Sequence, residues 1–371
     1  MSNTVSTVSI AIPAYNESAK IEQVVRGFLG SNYPYIIEIF VADGGSTDGT
    51  QKIVEKLSTE DVRIKLLHNS QKTRPAGLNL ILSECTGDIF LTADGHSDYA
   101  SDYIERCVEG LQNSNACNVG GAQRFVAENS FQAGVALASL SLLGNGGAKY
   151  RNPNYSGYAD TVYLGCFWKK SLLELHDLCV KDNPNKAISL NFDKTIFDPT
   201  QITNADSELN QKLIAKNEQA IYIDSKIRVW YYPRKSYKSL ILQYFRYGRG
   251  RYLTSTKHPK ILQLRGILPF VVISTALLLL IVDFLFTKLD LPMELVILGG
   301  LLLPFLESLR VTLKHWKSFN SEIWRGSEHE VPSFISRFFF CGIALLSMPI
   351  SHFAGYGYQL FRNQVLQVSN W

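Results

Sequence analysis

Ile267 to Phe286 reads ILPFVVISTALLLLIVDFLF, twenty residues in which Asp283 is the only charge. About twenty apolar residues in helical form cross the hydrocarbon core of a bilayer, so this run is read as a transmembrane span. A second apolar run extends from Leu291 to Leu313 but is interrupted by Glu294, Pro304, Glu307 and Arg310, which leaves a re-entrant or interfacial helix as its alternative. A third, Phe338 to Phe361, contains no Asp, Glu, Lys or Arg. The polar N-terminus, Met1 to Ser9, shows no basic region followed by a long apolar run and so no cleavable secretory signal.

Orientation follows from the placement of cations, which favour the cytoplasmic side of a span. Lys257, Lys260 and Arg265 precede the first run, and Arg310, Lys314, Lys317, Arg325 and Arg337 lie between the second and the third. The short connection from the first to the second has only Lys288, with Asp290 beside it. Three spans would leave the large N-terminal part in the cytoplasm and the C-terminus outside, at the inner (plasma) membrane. Six scattered cysteines without a C-x-x-C pair agree with a reducing compartment.

The 371 residues suffice for two to three folding units at roughly 150 residues each. With 46% hydrophobic and 19% charged residues, neither disorder nor a coiled coil can dominate. A net charge of +4 hides eleven Lys or Arg, with no Asp or Glu, between Lys226 and Arg265. That stretch is interleaved with Trp230, Tyr231, Tyr232, Tyr237, Tyr244, Phe245, Tyr247 and Tyr252. Basic and aromatic residues together suit nucleic acid, but next to a span they suit an anionic leaflet better, and nucleic acid is not expected as a partner.

Before it, strand-like runs (Val8–Ile12, Ile37–Ala42, Arg63–His68, Ile89–Ala93) alternate with helical patterns. Ile21, Val24, Val25, Phe28 and Leu29 share one helix face that Asn16 could cap, Ser46 or Thr47 could cap a helix through Leu57, and Gly77–Glu84 supports a third. Strand candidates Cys117–Phe125, Thr161–Phe167 and Ile221–Trp230 and helices Ser130–Leu143 and Asp206–Lys216 continue the unit. Alternation of this kind predicts an α/β fold on a mostly parallel sheet. Three parts are expected: a catalytic domain over 1–235, a basic aromatic interfacial segment over 236–265 and a membrane domain over 266–371 with two to three spans.

Ligands of such sheets bind beyond the carboxyl ends of the strands. Asp43, ending IEIFVAD, and Asp94, ending IFLTAD, both belong there, each followed by glycine. Asp-Gly-Gly in DGGSTDGT is on its own a turn signal, and PAYNE (Pro13–Glu17) on its own is strand-to-helix punctuation. Asp94 and His96 stand one residue apart, so both can reach one divalent ion, with oxygen and nitrogen donors suiting Mg²⁺ or Mn²⁺ on a diphosphate. Asp206 in NADSELNQKL lies in the first turn of a helix, where capping and the helix dipole explain it as readily as catalysis does. Gln243 and Arg246 of QYFRY share a helix face and can hold phosphates.

Taken in order, these motifs resemble the inverting family 2 glycosyltransferases of GT-A fold, and within them the succinoglycan-biosynthesis type of membrane enzyme. The likeness covers about residues 8 to 260 and includes RPAGLNLIL, CNVGGAQ, GNGGAKYR, DTVYLGCF, ADSELN and QYFRYGR. The resemblance implies a nucleotide pocket of Pro13, Tyr15, Glu17 and Asp43, with Arg74 beside it; a metal-binding pair of Asp94 and His96, where D-x-H replaces D-x-D; and a general base at Asp206, with Ala205 at the place of a first acid. It implies also a Q-x-x-R element of Gln243 and Arg246, followed by Tyr247 in place of tryptophan. The expected activity is transfer of a sugar from a UDP-sugar, UDP-glucose first among them, to a lipid-linked saccharide such as a polyprenyl-diphosphate sugar in exopolysaccharide synthesis. A processive polysaccharide synthase and a catalytically silent nucleotide-binding membrane module are the competing readings.

Overall fold

The computed structural model describes residues 5–182, 195–201, 203–257, 264–286 and 293–368. Lys260, Lys288 and Asp290, used above for orientation, lie outside them. The chain divides into two compact units, Met1–Arg124 with Asn152–Tyr231, and Phe125–Arg151 with Tyr232–Trp371. Residues 125–151 thus belong with the C-terminal helices, whereas the sequence places them in one continuous unit ending near 235.

The first unit begins as β1 (Val8–Ala14), α1 (Ile21–Leu29), β2 (Ile36–Asp43), α2 (Thr50–Glu60), β3 (Ile64–His68), α3 (Arg74–Glu84) and β4 (Ile89–Thr92). It continues with β5 (Asp98–Tyr99), α4 (Tyr103–Asn113) and β6 (Asn118–Phe125). After the excursion into the second unit, β7 (Gly157–Tyr158), β8 (Tyr163–Trp168), the helices Lys169–Asp182 and Ala205–Lys216, and β9 (Ile221–Tyr231) complete it. Among the described residues the sheet order is β3-β2-β1-β4-β8-β6-β9-β5, with β7 also on β9. The first four strands are parallel, and β8 pairs antiparallel with both β4 and β6. The two-residue strands β5 and β7 run antiparallel to β9.

Strands β1, β2 and β4 are buried on both faces and are accordingly largely apolar runs rather than alternating ones. Val8, Ile10, Ile12, Ile39, Val41, Ile89 and Leu91 form their core, covered by Ile21, Val24, Val25 and Phe28 of α1. Glu38, in the middle of β2, is the exception that has to be satisfied. It accepts from Ser9 Oγ at 2.6 Å and from the Thr86 amide at 2.8 Å, and pairs with Lys65 Nζ at 3.0 Å. Burial raises its pKa, but these donors outweigh burial and hold it below the ordinary value. The helix starts differ from expectation. Lys20, not Asn16, precedes α1, and Gly49 in the left-handed region (φ 96°) precedes α2. Only α3 has a side-chain cap of the three, Thr73 accepting from the Ala76 amide.

In the second unit the long helix Phe334–Gln364 packs against Ser130–Ser139, Tyr237–Lys257, Leu264–Phe286 and Met293–Lys314. Among the described residues three segments are long and apolar enough to cross a membrane: Gly266–Leu285, Leu295–Lys314 and Phe334–Gln364, with mean hydropathy 2.5, 1.7 and 1.6. The first buries none of its apolar window inside the protein, so its Leu and Val side chains are left for lipid. In the second, two of the interrupting charges pair: Arg310 makes a two-pronged contact with Glu307 at 2.7 and 2.8 Å.

Helices Tyr237–Lys257 and Phe334–Gln364 touch backbone to backbone. A Cβ on Gly248 would overlap the carbonyl of His352, and one on Gly355 the carbonyl of Phe245. Small residues at such crossings let helices approach closely. Gly355→Leu is therefore expected to lower the melting temperature of the purified protein by about 10 °C, as overpacking by several kcal/mol does. Gly299→Leu, at a position with nothing within 4 Å, should leave it unchanged.

Candidate active site

Register brings the two aspartates of the sequence motifs to one edge. Ala14 of β1 pairs with Asp43, Ala11 pairs with Thr92, and the Ala93 amide still donates to Ala11 at 2.8 Å. With β1 between them, Asp43 and Asp94 stand two strand spacings apart, about 10 Å.

Asp43 is buried, and its Oδ2 accepts from the amides of Gly45 (2.8 Å) and Ser46 (3.0 Å) and from Gln51 Nε2. Gly45 allows this return of the chain with a φ of +84°. Burial pushes the carboxyl up, but hydrogen bonds from Ser46, Gln51 and Gly45 prevail and hold it below the ordinary carboxylate range. Its Oδ1 is buried with no hydrogen-bond partner. The motif loops after β1 and β2 are laced together around it. Asn16, at φ 57°, donates its amide to Ser46 Oγ (2.8 Å) and accepts from Thr47 (2.9 Å), while the Ser18 amide donates to Asp48 (2.9 Å). Pro13 is fixed in β1 opposite Ala42, and Tyr15 stands 58% exposed.

A second cluster forms around Asp94. Arg74, at the start of α3, donates through Nη1 to both oxygens of Asp206 at 2.8 and 3.0 Å, and its Nη2 lies 3.6 Å from Asp94 Oδ1. Residues 132 positions apart are thus joined by one guanidinium. Burial lowers the Arg74 pKa, and the charges of Asp206 and Asp94 more than reverse this. Tyr163 of β8 donates to Asp94 Oδ2 at 2.8 Å, and the Asp94 amide donates to Tyr99 Oη at 2.8 Å. Burial and the charge of Asp94 push the Tyr163 phenol well above its usual pKa, so it stays a donor. Asp206 itself, second residue of the helix Ala205–Lys216, is 57% exposed and open to a substrate. His96 Nδ1 is 2.9 Å from Glu17 Oε1.

The structure therefore brings Arg74, Asp94 and Asp206 together, and pairs His96 with Glu17 in a contact of their own. Arg74 and Glu17, assigned from the resemblance to the nucleotide pocket, here contact the acidic cluster and the imidazole. Gln243 and Arg246 stand on the helix Tyr237–Lys257 of the second unit, where Gln243 Nε2 donates to Tyr247 at 2.9 Å. Tyr99 and Tyr163 had no role in the sequence reading, although Tyr163 lies within DTVYLGCF.

Among the described residues no group of three or more His, Cys, Asp or Glu is placed to hold a metal. Asp94 offers a carboxylate and His96 an imidazole, oxygen and nitrogen donors of the kinds that divalent ions take together with phosphates and water.

A family model described as glycosyl transferase family 2 matches residues 9–168. The succinoglycan biosynthesis protein ExoA of Rhizobium meliloti is 33% identical over 280 residues, 74% of this chain and 79% of that protein. A dolichyl N-acetyl-alpha-D-glucosaminyl phosphate 3-beta-D-2,3-diacetamido-2,3-dideoxy-beta-D-glucuronosyltransferase of Methanococcus voltae is 26% identical over 258 residues, 67% of this chain and 74% of that one. Among solved structures, the mannosyltransferase PcManGT from Pyrobaculum calidifontis, in complex with GDP-Man and Mn²⁺, superposes with a TM-score of 0.58 at 15% identity, over 98% of this chain and 89% of that one. At that identity the superposition speaks for the fold, a mixed α/β GT-A architecture. Paired with a relative one-third identical over most of both chains, the acidic edge of the sheet belongs to a known kind of enzyme: the chain is a family 2 glycosyltransferase.

Proposed function

We propose that the enzyme transfers a sugar from a UDP-sugar, with UDP-glucose the first donor to try, to a lipid-linked saccharide in exopolysaccharide or cell-surface glycan synthesis, with inversion at the anomeric carbon. The observation that carries this is the convergence of Asp94, Arg74 and Asp206 at the strand edge that also ends in Asp43. The succinoglycan relative and the dolichyl phosphate-sugar relative support a glycan on a lipid acceptor, and three membrane-length apolar helices support a membrane enzyme. The cation bias favours the plasma membrane with the α/β unit in the cytoplasm.

The unpartnered Asp43 Oδ1 suits the imino N–H of uracil, and the exposed Tyr15 suits stacking on the base. Asp206 takes the proton of the acceptor hydroxyl; that oxygen bonds to the anomeric carbon from the face opposite the diphosphate, whose C–O bond breaks with the electron pair leaving on the nucleoside diphosphate. Arg74 is placed to donate to negative charge gathering on the departing phosphate. A divalent ion, held by Asp94 and His96, would when bound supply further charge neutralisation there. Gln243 and Arg246 are proposed as further phosphate ligands. Because a nucleoside diphosphate leaves as a stable anion, no second carboxylic acid is required, unlike glycoside hydrolysis.

The test is nucleoside diphosphate release by membranes containing the protein, with a panel of UDP- and GDP-sugars, with and without lipid extract, and with Mn²⁺, Mg²⁺ or EDTA. The expected outcome is UDP release from one UDP-sugar, dependent on both lipid and metal. Turnover confined to GDP-sugars overturns the uracil assignment, since guanine also offers an imino N–H; turnover without lipid overturns the acceptor class.

A further inference from the structure

We infer that Glu17 is a positioning residue for His96, fixing the imidazole as a metal ligand, rather than a contact to the nucleotide. The inference rests on the metal reading of Asp94 and His96 given above.

The contact is His96 Nδ1 to Glu17 Oε1 at 2.9 Å, between side chains that are 33% and 21% exposed. A carboxylate only accepts, so Nδ1 bears the proton, and in the neutral ring the lone pair sits on Nε2. One tautomer is thereby selected, with the ligating nitrogen on the side away from Glu17. Glu17 is itself rigid. Its amide donates to Thr50 Oγ1 at 2.9 Å, and its carbonyl accepts from Lys20 and Ile21 at 3.0 and 2.9 Å, starting α1. Between Asp94 and His96 the chain passes directly under this side chain: a Cβ on Gly95 would lie 3.2 Å from Glu17 Cγ and 3.3 Å from Ile21 Cδ1. A glycine there lets the glutamate lie across the turn to the imidazole. The ring also lies near Tyr231, with centroids 5.9 Å apart.

Charge gives the arrangement its purpose. A neutral imidazole in place of a second aspartate removes one negative charge from the protein's ligands to a divalent ion. Glu17 restores that charge one hydrogen bond further out, and outer partners of this type affect metal affinity by about 10- to 100-fold.

The experiment is Mn²⁺ binding, read by electron paramagnetic resonance, to the full-length protein in detergent with saturating UDP, alongside UDP binding in EDTA. Wild type, Glu17→Gln, His96→Asp and the double variant are compared. Glu17→Gln should weaken Mn²⁺ about 10- to 100-fold with UDP affinity in EDTA unchanged. In the His96→Asp background, where there is no imidazole to orient, Glu17→Gln should cause no loss. Equal Mn²⁺ losses in both backgrounds, a loss of UDP affinity in EDTA, or no effect of Glu17→Gln on a wild-type enzyme that binds Mn²⁺ overturns the inference alone. Failure of wild type to bind Mn²⁺ with UDP present overturns the metal reading beneath it.

Discussion

Asp206→Asn should abolish most sugar transfer, by about 10²- to 10⁴-fold in kcat, the range lost when a positioned general base is removed. Affinity for UDP should hold. The amide is isosteric and keeps an oxygen that can accept from Arg74 Nη1, so the bridge from α3 survives in weakened form. What disappears is the site for the acceptor's proton. The ion pair also shapes how the base works. In the structure Arg74 spends two hydrogen bonds on Asp206 and leans towards Asp94 at 3.6 Å. A donor diphosphate entering beside Asp94 brings its own negative charge to the same guanidinium and competes with Asp206 for it. Asp206 would then be released from Arg74 when the donor is bound. The check is single-turnover transfer by membranes with labelled donor, with UDP binding measured in parallel. Transfer near the wild-type rate with UDP binding intact would remove Asp206 from the mechanism.

Some of this was legible in the sequence for physical reasons that can be named. Asp43 and Asp94 each close an apolar run and precede glycine, and a parallel sheet puts all such endings on one edge, so their place on that edge follows from local patterns alone. The apolar helices were legible because a bilayer imposes length and composition directly. Asp283 is the only charge in the first run, and the troublesome Glu307 and Arg310 of the second prove to be spaced for each other. Other features depend on long-range pairing that leaves no periodic trace. Tyr163 reaches Asp94 because β8 reverses direction beside β4, and nothing in YLGCFW announces an antiparallel partner. Arg74 meets Asp206 only once α3 and the helix after residue 204 have both been placed. Asn16 looked like a cap because asparagine before an amphipathic run usually is one; instead its side chain holds the neighbouring loop through Thr47. Residues 125–151 read as more of the α/β pattern, yet Ala133, Val135, Ala136, Leu137 and Ala138 all find their core among the C-terminal helices. A helix apolar on nearly every side says that it is buried, not against what.

Asp43→Asn should weaken UDP binding about 10- to 100-fold, the 1–3 kcal/mol that an unmatched buried polar group costs. The direction follows from how the carboxylate is held. Oδ2 already accepts from two backbone amides and Gln51, so in the variant the amide oxygen stays in that position and the NH₂ replaces Oδ1. A uracil imino N–H would then meet a donor instead of an acceptor. Methylation of that nitrogen supplies the matching half of the test. N3-methyl-UDP should bind wild type far more weakly than UDP does, while Asp43→Asn should discriminate little between the two. The same substitution should change acid stability. The folded carboxyl is held below its ordinary value, so its stabilising effect is present above the unfolded pKa of about 3.9 and fades as pH falls through the lower folded value. Acid unfolding below about pH 4 should accordingly depend less steeply on pH in the variant. Should Asp43→Asn bind UDP as wild type does, with the same preference over the methylated nucleotide, the buried oxygen serves the loop of Gly45 and Ser46 alone and the base is recognised elsewhere.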